Sequence, residues 1–157
     1  MLPQEPTYNE PIAQETLAVI SGRELLIQHL GHWPTFHDFE VVTLTLERAI
    51  VSAATTDLRA TFLVFDLYKR PDDPERKQGT AEFLFESVDK LRIDGFNHQN
   101  PIIGLSITRI EPGTKQPMFR VQWGGTCMLH EVSFTCWRIA VLRVVDLNPF
   151  RKTSVSL

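Results

Sequence analysis

The chain has 157 residues, of which 43% are hydrophobic and 22% are charged, and its formal net charge is −3. A chain of this length is the size of one domain and can bury a core without disulfide or metal support. The small net charge and the absence of a basic stripe argue against nucleic-acid binding, and no apolar run approaches the ~18 residues of a membrane span.

The N-terminal region combines a proline-rich arm with one helical segment. Residues 1–11 hold three prolines and are predicted to form an extended arm. Between residues 12 and 30 the apolar residues recur at near-helical spacing, so we expect one helix, which Gly22 weakens and could split. Ser21 is the expected N-cap of the better half, and Gly31 is its expected stop.

After Pro34 the hydrophobic period changes to two, which is typical of strands with one buried face. The predicted strands cover residues 39–51, 58–68, 80–88, 102–111, 118–125 and 127–146, and residues 90–96 either continue the third of these after a bend or start another. The second has an apolar middle on both faces, which predicts a central position in its sheet. The last is longer than a normal strand, so we expect a break near residues 135–137.

Seven or eight strands with hairpin-length connections predict a mainly β (α+β) fold. We expect an antiparallel β-sandwich or an open barrel, with one N-terminal helix packed on it. The predicted domain covers residues 12–147, and the polar residues 148–157 are a predicted C-terminal tail.

The segment GHWPTFHDFEVV, residues 31–42, is the sharpest candidate for a functional site. A metal at His37 and Asp38 would need more ligands, and adjacent residues on a strand point to opposite faces. A catalytic pair would need a nucleophile, and no such signature occurs. We therefore assign no catalytic residue, no metal and no cofactor, and we expect the protein not to be an enzyme.

A structural role for this segment is the interpretation that the residues favour. Asp38 would accept bonds from backbone N–H groups, and the His37 ring would donate to a helix carbonyl. Trp33 would fill an apolar space, and Pro34 would stiffen the crossing from helix to sheet. On this hypothesis WPTFHD is a latch that docks the helix on the first strand.

Other conspicuous residues have simple structural explanations. His130 has no metal-ligand spacing with another histidine, and Trp123 occupies a core-like position in its strand. Cys127 and Cys136 are too few for a disulfide framework. Because no apolar signal segment follows Met1, we expect a cytoplasmic protein with reduced thiols.

The stretch WPTFHDFEVVTLTLER, from Trp33 to Arg48, resembles the immunity protein 50 family of bacterial polymorphic toxin systems, which has a W-P-x-F-H-D-x-E-V pattern at its first long strand. The later GFNHQNPIIGLSI and VSFTCWRIAV are similar to the Asn-containing turn and the terminal F-x-C-x-x-I-x-V strand of that family. The resemblance extends over residues 25–145. Its motif positions in this chain are Trp33, Pro34, Phe36, His37, Asp38 and Glu40.

This resemblance implies a non-enzymatic protein that binds and neutralises a cognate toxin in the cytosol of the producing cell. Such a protein needs a surface complementary to one partner, and a mildly acidic protein could face a basic nuclease. Candidate partner-binding residues are Glu82 and Glu86 on the polar face of the third strand, with Asp72 and Asp73 in the mixed-charge loop. An ordinary solvated surface explains these four acids equally well.

Two alternatives remain open. One is a small-molecule-binding β-sandwich or a hydrolase that uses His37 and Asp38 in a pocket at the helix–sheet junction. The other is a structural domain that forms a homodimer through an exposed edge strand.

Overall fold

Alternating hydrophobic residues fold the chain into two antiparallel sheets of four strands each. The computed structural model describes residues 11–49, 55–111, 116–124 and 130–147. In these residues the helices are α1 (Gln14–Ala18) and α2 (Arg23–Leu30). The strands are β1 (Glu40–Arg48), β2 (Thr56–Phe65), β3 (Gln78–Glu86), β4 (Asp89–Asp94), β5 (Gly104–Ile110), β6 (Met118–Gly124), β7 (Glu131–Cys136) and β8 (Arg138–Asp146).

The strand order confirms the predicted mainly β fold. The first sheet has the order β1-β2-β3-β8, and the second sheet has the order β4-β7-β6-β5. β2 is central, as predicted, because it pairs with β1 on one side and with β3 on the other. The long C-terminal run breaks at Trp137, between β7 and β8, also as predicted. The predicted tail and most of the predicted arm lie outside the described residues.

The core lies between the two sheets and is rich in aromatic side chains. Phe62 of β2 and Phe85 of β3 contact the buried Trp123 of β6, with ring centroids 5.3 Å and 5.9 Å apart. Phe85 also meets Phe134 of β7 edge to face, at 4.9 Å. Each such side chain contributes about 1.5–3 kcal/mol through burial, so these contacts hold the sheets face to face.

The helical segment divides in two at Gly22, and the break lets the chain bridge the edge of β8. The Ser21 N–H donates to the Ile139 carbonyl at 3.1 Å, and the Ser21 carbonyl accepts from the Val141 N–H at 2.8 Å. The expected side-chain cap at Ser21 is wrong, because Gly22 is the N-cap of α2 and adopts a left-handed φ of 70°. A Cβ on Gly22 would also collide with the Val141 carbonyl oxygen.

α2 ends at Gly31, as predicted. Gly31 has a φ of 89°, and its N–H donates to the Ile27 carbonyl at 2.7 Å. Leu26 and Leu30 are the buried residues of α2, which packs beside β8. No helix in the described part of the chain has the length and apolar character needed to cross a membrane.

Candidate functional site

The motif segment forms the crossing from α2 to β1, and we call residues 31–39 the motif loop. Its aromatic half lies in the core, where Phe36 is fully buried. The Phe36 ring contacts four other rings at centroid distances of 5.4 to 5.8 Å, those of Trp33, Phe39, Phe62 and Phe83. These aromatic contacts therefore join the crossing to the first sheet.

Backbone hydrogen bonds tie the end of the motif loop to the segment that precedes β5. The Asp38 N–H donates to the Ile102 carbonyl at 3.0 Å, and the Ile102 N–H donates to the Phe39 carbonyl at 2.9 Å. The start of β1 consequently lies between β2 and residues 100–102. This double pairing immobilises the chain directly after His37.

Asn100 fastens the same junction through its side chain, and sequence analysis missed it as a site residue. It is buried, and its Nδ2 donates to the carbonyls of Val41, at 3.2 Å, and Asn97, at 2.7 Å. The motif residue Glu40 accepts a bond from the Asn100 N–H at 3.3 Å. The sequence signal that could have identified it is the turn NHQNP, which contains Asn100. This turn is far from the motif in the sequence and meets it only in the folded chain.

The tip of the motif loop exposes His37 and Asp38 side by side. Phe36 and Asp38 have left-handed φ values of 64° and 60°, a conformation that costs of order 1–3 kcal/mol for a non-glycine residue. The side chains of His37 and Asp38 are 49% and 59% exposed, and the imidazole Nδ1 lies 3.1 Å from a carboxylate oxygen.

This geometry corrects two expectations for the pair. Asp38 is not a buried acceptor of backbone N–H groups, and its side chain does not diverge from that of His37. The alternation rule for strands does not apply, because both residues precede β1 and lie in a turn whose Phe36 and Asp38 are left-handed. The contact that the structure gives the His37 ring is this one, between Nδ1 and the Asp38 carboxylate, instead of the expected bond to a helix carbonyl.

A second loop lies beside the motif loop, and we call residues 66–77, between β2 and β3, the charged loop. Its Tyr68 side chain is 86% exposed, and the Tyr68 ring lies 6.2 Å from the ring of His32. At the end of β2, directly before the charged loop, the Phe65 ring lies 5.3 Å from the ring of Phe39 of the motif loop. The guanidinium of Arg76, in the charged loop, lies over the same Phe65 ring. We call the exposed residues of the motif loop and the charged loop together the loop face.

The charged loop is organised by its own polar contacts. A hydrogen bond and ion pair with Glu75, at 3.0 Å, raises the pKa of Lys69. Asp73 accepts a bond from the Glu75 N–H at 2.8 Å. Asp72 is exposed. Asp72 therefore belongs to the loop face, whereas Asp73 is half-buried and its carboxylate is bonded within the loop.

The two predicted glutamates lie elsewhere, on the outer side of the first sheet, and both are paired. Glu82 contacts Arg59 at 3.3 Å and Arg143 at 2.6 Å. Glu86 contacts Arg138 at 3.2 Å. Because arginines from neighbouring strands balance these charges, the glutamates offer less to an external partner than the loop face does.

Two titratable groups are buried away from the loop face. Burial raises the pKa of the Cys136 thiol to about 12, which leaves it protonated and unreactive. His130 is buried directly before β7, and its Nε2 accepts a bond from the Trp123 indole N–H at 3.2 Å. Burial also lowers the pKa of His130, against a smaller opposing effect of the Asp94 backbone. Cys127 lies outside the described residues.

The buried His130 is expected to make stability depend on pH. Its folded-state pKa is below its unfolded-state value of about 6.5, so the unfolded chain binds more protons once the pH falls below that value. The stabilisation is thus complete above about pH 6.5 and decreases as the pH falls. His130→Gln keeps an acceptor for Trp123 but cannot titrate. Chemical denaturation between pH 7 and pH 5 should give a shallower pH dependence for this variant than for wild type, and an unchanged dependence would contradict the assignment.

The described residues hold no group of three or more His, Cys, Asp or Glu side chains arranged to bind a metal ion. No family model matches this chain, and no curated protein or solved structure is significantly similar to it.

Proposed function

We propose that this protein is a non-enzymatic binding protein that neutralises a cognate bacterial toxin, as an immunity protein. The assignment as an immunity protein comes from the resemblance of WPTFHDFEVV to the immunity protein 50 family. The proposal includes a cytoplasmic location, since an immunity protein must meet the toxin inside the producing cell.

The observation that carries the proposal is that one side of the motif loop is buried in the core while the other side is exposed to solvent. Phe36 anchors one side in the core, and His37 and Asp38 are exposed on the other. A loop held in one conformation loses little entropy on binding. Strained backbone is also concentrated at binding and catalytic sites in folded proteins. The loop is therefore well suited to present a fixed polar pair to a partner.

Tyr68 adds an aromatic anchor to the same face. Tyrosine is enriched among the residues that dominate binding energy at protein interfaces. A side chain that is 86% exposed has most of its surface left to bury against a partner. Asp72 and Asp73 lie in the same loop as this anchor and are the candidate acidic contacts for a basic partner surface. The loop also carries Lys69, Arg70, Arg76 and Lys77, so its charge is mixed.

The direct test is co-expression with the protein encoded immediately upstream of this chain. We expect the upstream protein to arrest growth when expressed alone and the present chain to restore growth. A harmless upstream product, or growth arrest that this chain does not relieve, would contradict the proposal.

Tyr68→Ala is expected to weaken binding of the upstream protein by about 2 kcal/mol, or roughly 30-fold in Kd. Its melting temperature should stay close to that of wild type, because the side chain is exposed. Titration calorimetry measures the affinity. Arg120→Ala, an exposed residue of β6 away from the loop face, is the matched control. Equal affinities of the two variants would place the binding surface elsewhere.

The pairing of His37 with Asp38 also favours a second candidate function, a hydrolase or small-molecule site. A carboxylate-oriented imidazole can act as a general base when a substrate is held nearby. The test is hydrolysis of a panel of activated esters and phosphodiesters by wild type and by His37→Gln. Turnover that disappears in the variant would favour this function over toxin binding.

A further inference from the structure

We propose that two copies of this chain associate through the exposed edge of β1, so that their first sheets join into one continuous eight-stranded sheet. This inference goes beyond the proposed function and does not depend on it. It follows from the exposure, the hydrogen-bonding direction and the self-complementary sequence of one strand.

Within the part of the chain that the structure describes, β1 is an edge strand with a free stretch at residues 42–48. Among the described strands its one sheet neighbour is β2. The Val41 N–H is bonded to the Asn100 carbonyl, so the free stretch begins after it. Val42 and Leu46 are 48% and 50% exposed. Natural edge strands are protected by Pro, by charged side chains, especially Lys, by bulges or by a covering segment. Residues 42–48 contain no Pro and no Lys, and their two charged residues, Glu47 and Arg48, lie at the end of the strand.

The opposite edge of the same sheet shows the contrast. There Ser21 bridges β8 with two backbone hydrogen bonds, so the N-terminal segment covers part of that edge. The register of β1 also shifts between Val41 and Thr43. This bulge separates the part of β1 that pairs with residue 100 from the part that is free.

The backbone groups on the free side can be identified from the ladder with β2. The Ala49 N–H donates to the Thr55 carbonyl at 2.9 Å, in the hairpin that follows β1. Hydrogen-bonded residues alternate along an antiparallel pair. Thr45 and Glu47 therefore direct their N–H and C=O groups to β2, and Leu44 and Leu46 direct theirs away from it.

A two-fold antiparallel pairing must place outward-directed groups opposite each other, which excludes every second register. The allowed register that uses all of residues 42–48 is centred on Thr45. It sets Leu44 opposite Leu46 of the second copy, twice, and Thr45 opposite its own equivalent. The two-fold axis makes this interface isologous, the commonest symmetry of homodimers.

Side-chain chemistry fits this register. The two leucine pairs bury apolar surface that the single chain leaves partly exposed. Thr43 lies opposite Glu47 of the second copy, and Val42 lies opposite its Arg48, so that no like charges meet. A second copy is therefore the occupant that matches the strand itself, whereas a strand from a toxin would have to supply a matching pattern.

The mass in solution tests the association. Sedimentation equilibrium from micromolar to sub-millimolar concentration should give twice the 18.0 kDa mass of the chain. Thr45→Lys puts like charges together at the axis and should give a monomer. Thr108→Lys, on the exposed edge of β5, should remain dimeric. A mixture of Thr45→Lys and Thr45→Glu chains should recover the dimer mass.

Crosslinking tests the register. In the proposed pairing Thr45 and its equivalent form a non-hydrogen-bonded pair, with Cα atoms ~4.5 Å apart, within the range that a disulfide can span. Thr45→Cys should therefore form a covalent dimer on mild oxidation. Thr43→Cys should do so only when mixed with Glu47→Cys. The wild-type chain is the control for its native cysteines.

The results that overturn the proposal are a monomeric wild type at all concentrations, a Thr45→Lys variant that stays dimeric, or equal crosslinking of Thr45→Cys and Thr43→Cys alone. A monomer whose binding of the upstream protein is weakened by Thr45→Lys would instead assign the edge to that partner. Circular dichroism verifies that each variant is folded.

Discussion

Replacing Phe36 by Ala is expected to lower the free energy of unfolding by about 3–5 kcal/mol. Phe36 is fully buried and touches four aromatic rings. Two of those neighbours, Phe62 and Phe83, lie on hydrogen-bonded strands and cannot move into the space that the ring leaves. The left-handed backbone at this position also stays strained with Ala. Urea denaturation of variant and wild type measures the difference.

His37→Gln is the matched control for Phe36→Ala, because it changes the adjacent residue of the same loop. The His37 side chain is half-exposed, and its contact is with the exposed Asp38. Its replacement should change stability by no more than about 0.5 kcal/mol. A loss of several kcal/mol in this variant would restore a structural role for the imidazole and would count against its role as a presented binding group.

Gly22→Ala is expected to destabilise the protein by about 2–4 kcal/mol. The new Cβ would meet the Val141 carbonyl oxygen, and Gly22 has a left-handed φ. Relief requires the chain to move away from β8, which would disturb both hydrogen bonds of Ser21. Thermal and urea unfolding should both show the loss.

Gly31→Ala separates the two causes of this loss. Gly31 is also left-handed, but a Cβ there would meet nothing within 4 Å. Gly31→Ala should therefore cost only the strain of an Ala residue in the left-handed conformation, about 1 kcal/mol of unfolding free energy. Equal losses of stability in the Gly22→Ala and Gly31→Ala variants would mean that the close approach of Gly22 to β8 does not contribute to the loss.

The strands were predictable because burial on one face leaves a period-two signature. Along β3, Phe83 and Phe85 face the core while Glu82 and Glu86 face outward, as the alternation indicated. The stop at Gly31 was predictable for a similarly local reason, the left-handed residue that ends a helix.

The candidate site was predictable only in part. WPTFHD stood out by composition, and its aromatic residues do lie against the core. The exposed pairing of His37 with Asp38 was not predictable, since it depends on two left-handed residues that no local rule requires there. Asn100 was missed because its contacts with Glu40 and Val41 span about sixty positions of the chain.

The amino-acid sequence by itself determined which residues alternate between core and solvent and where the helix stops. It also singled out WPTFHD as the segment with the most unusual composition. All three depend on neighbours a few positions apart. Only the tertiary structure decided that the motif loop meets the charged loop and that Asn100 secures the start of β1. It also decided that, among the described residues, one edge of the first sheet is bridged and the other has no partner over residues 42–48. These features arise from contacts between segments that are distant in the sequence. The strand pairing uses backbone hydrogen bonds that are the same for every residue type except proline, and the side-chain contacts of Asn100 and of the two loops form only once that pairing has brought the segments together.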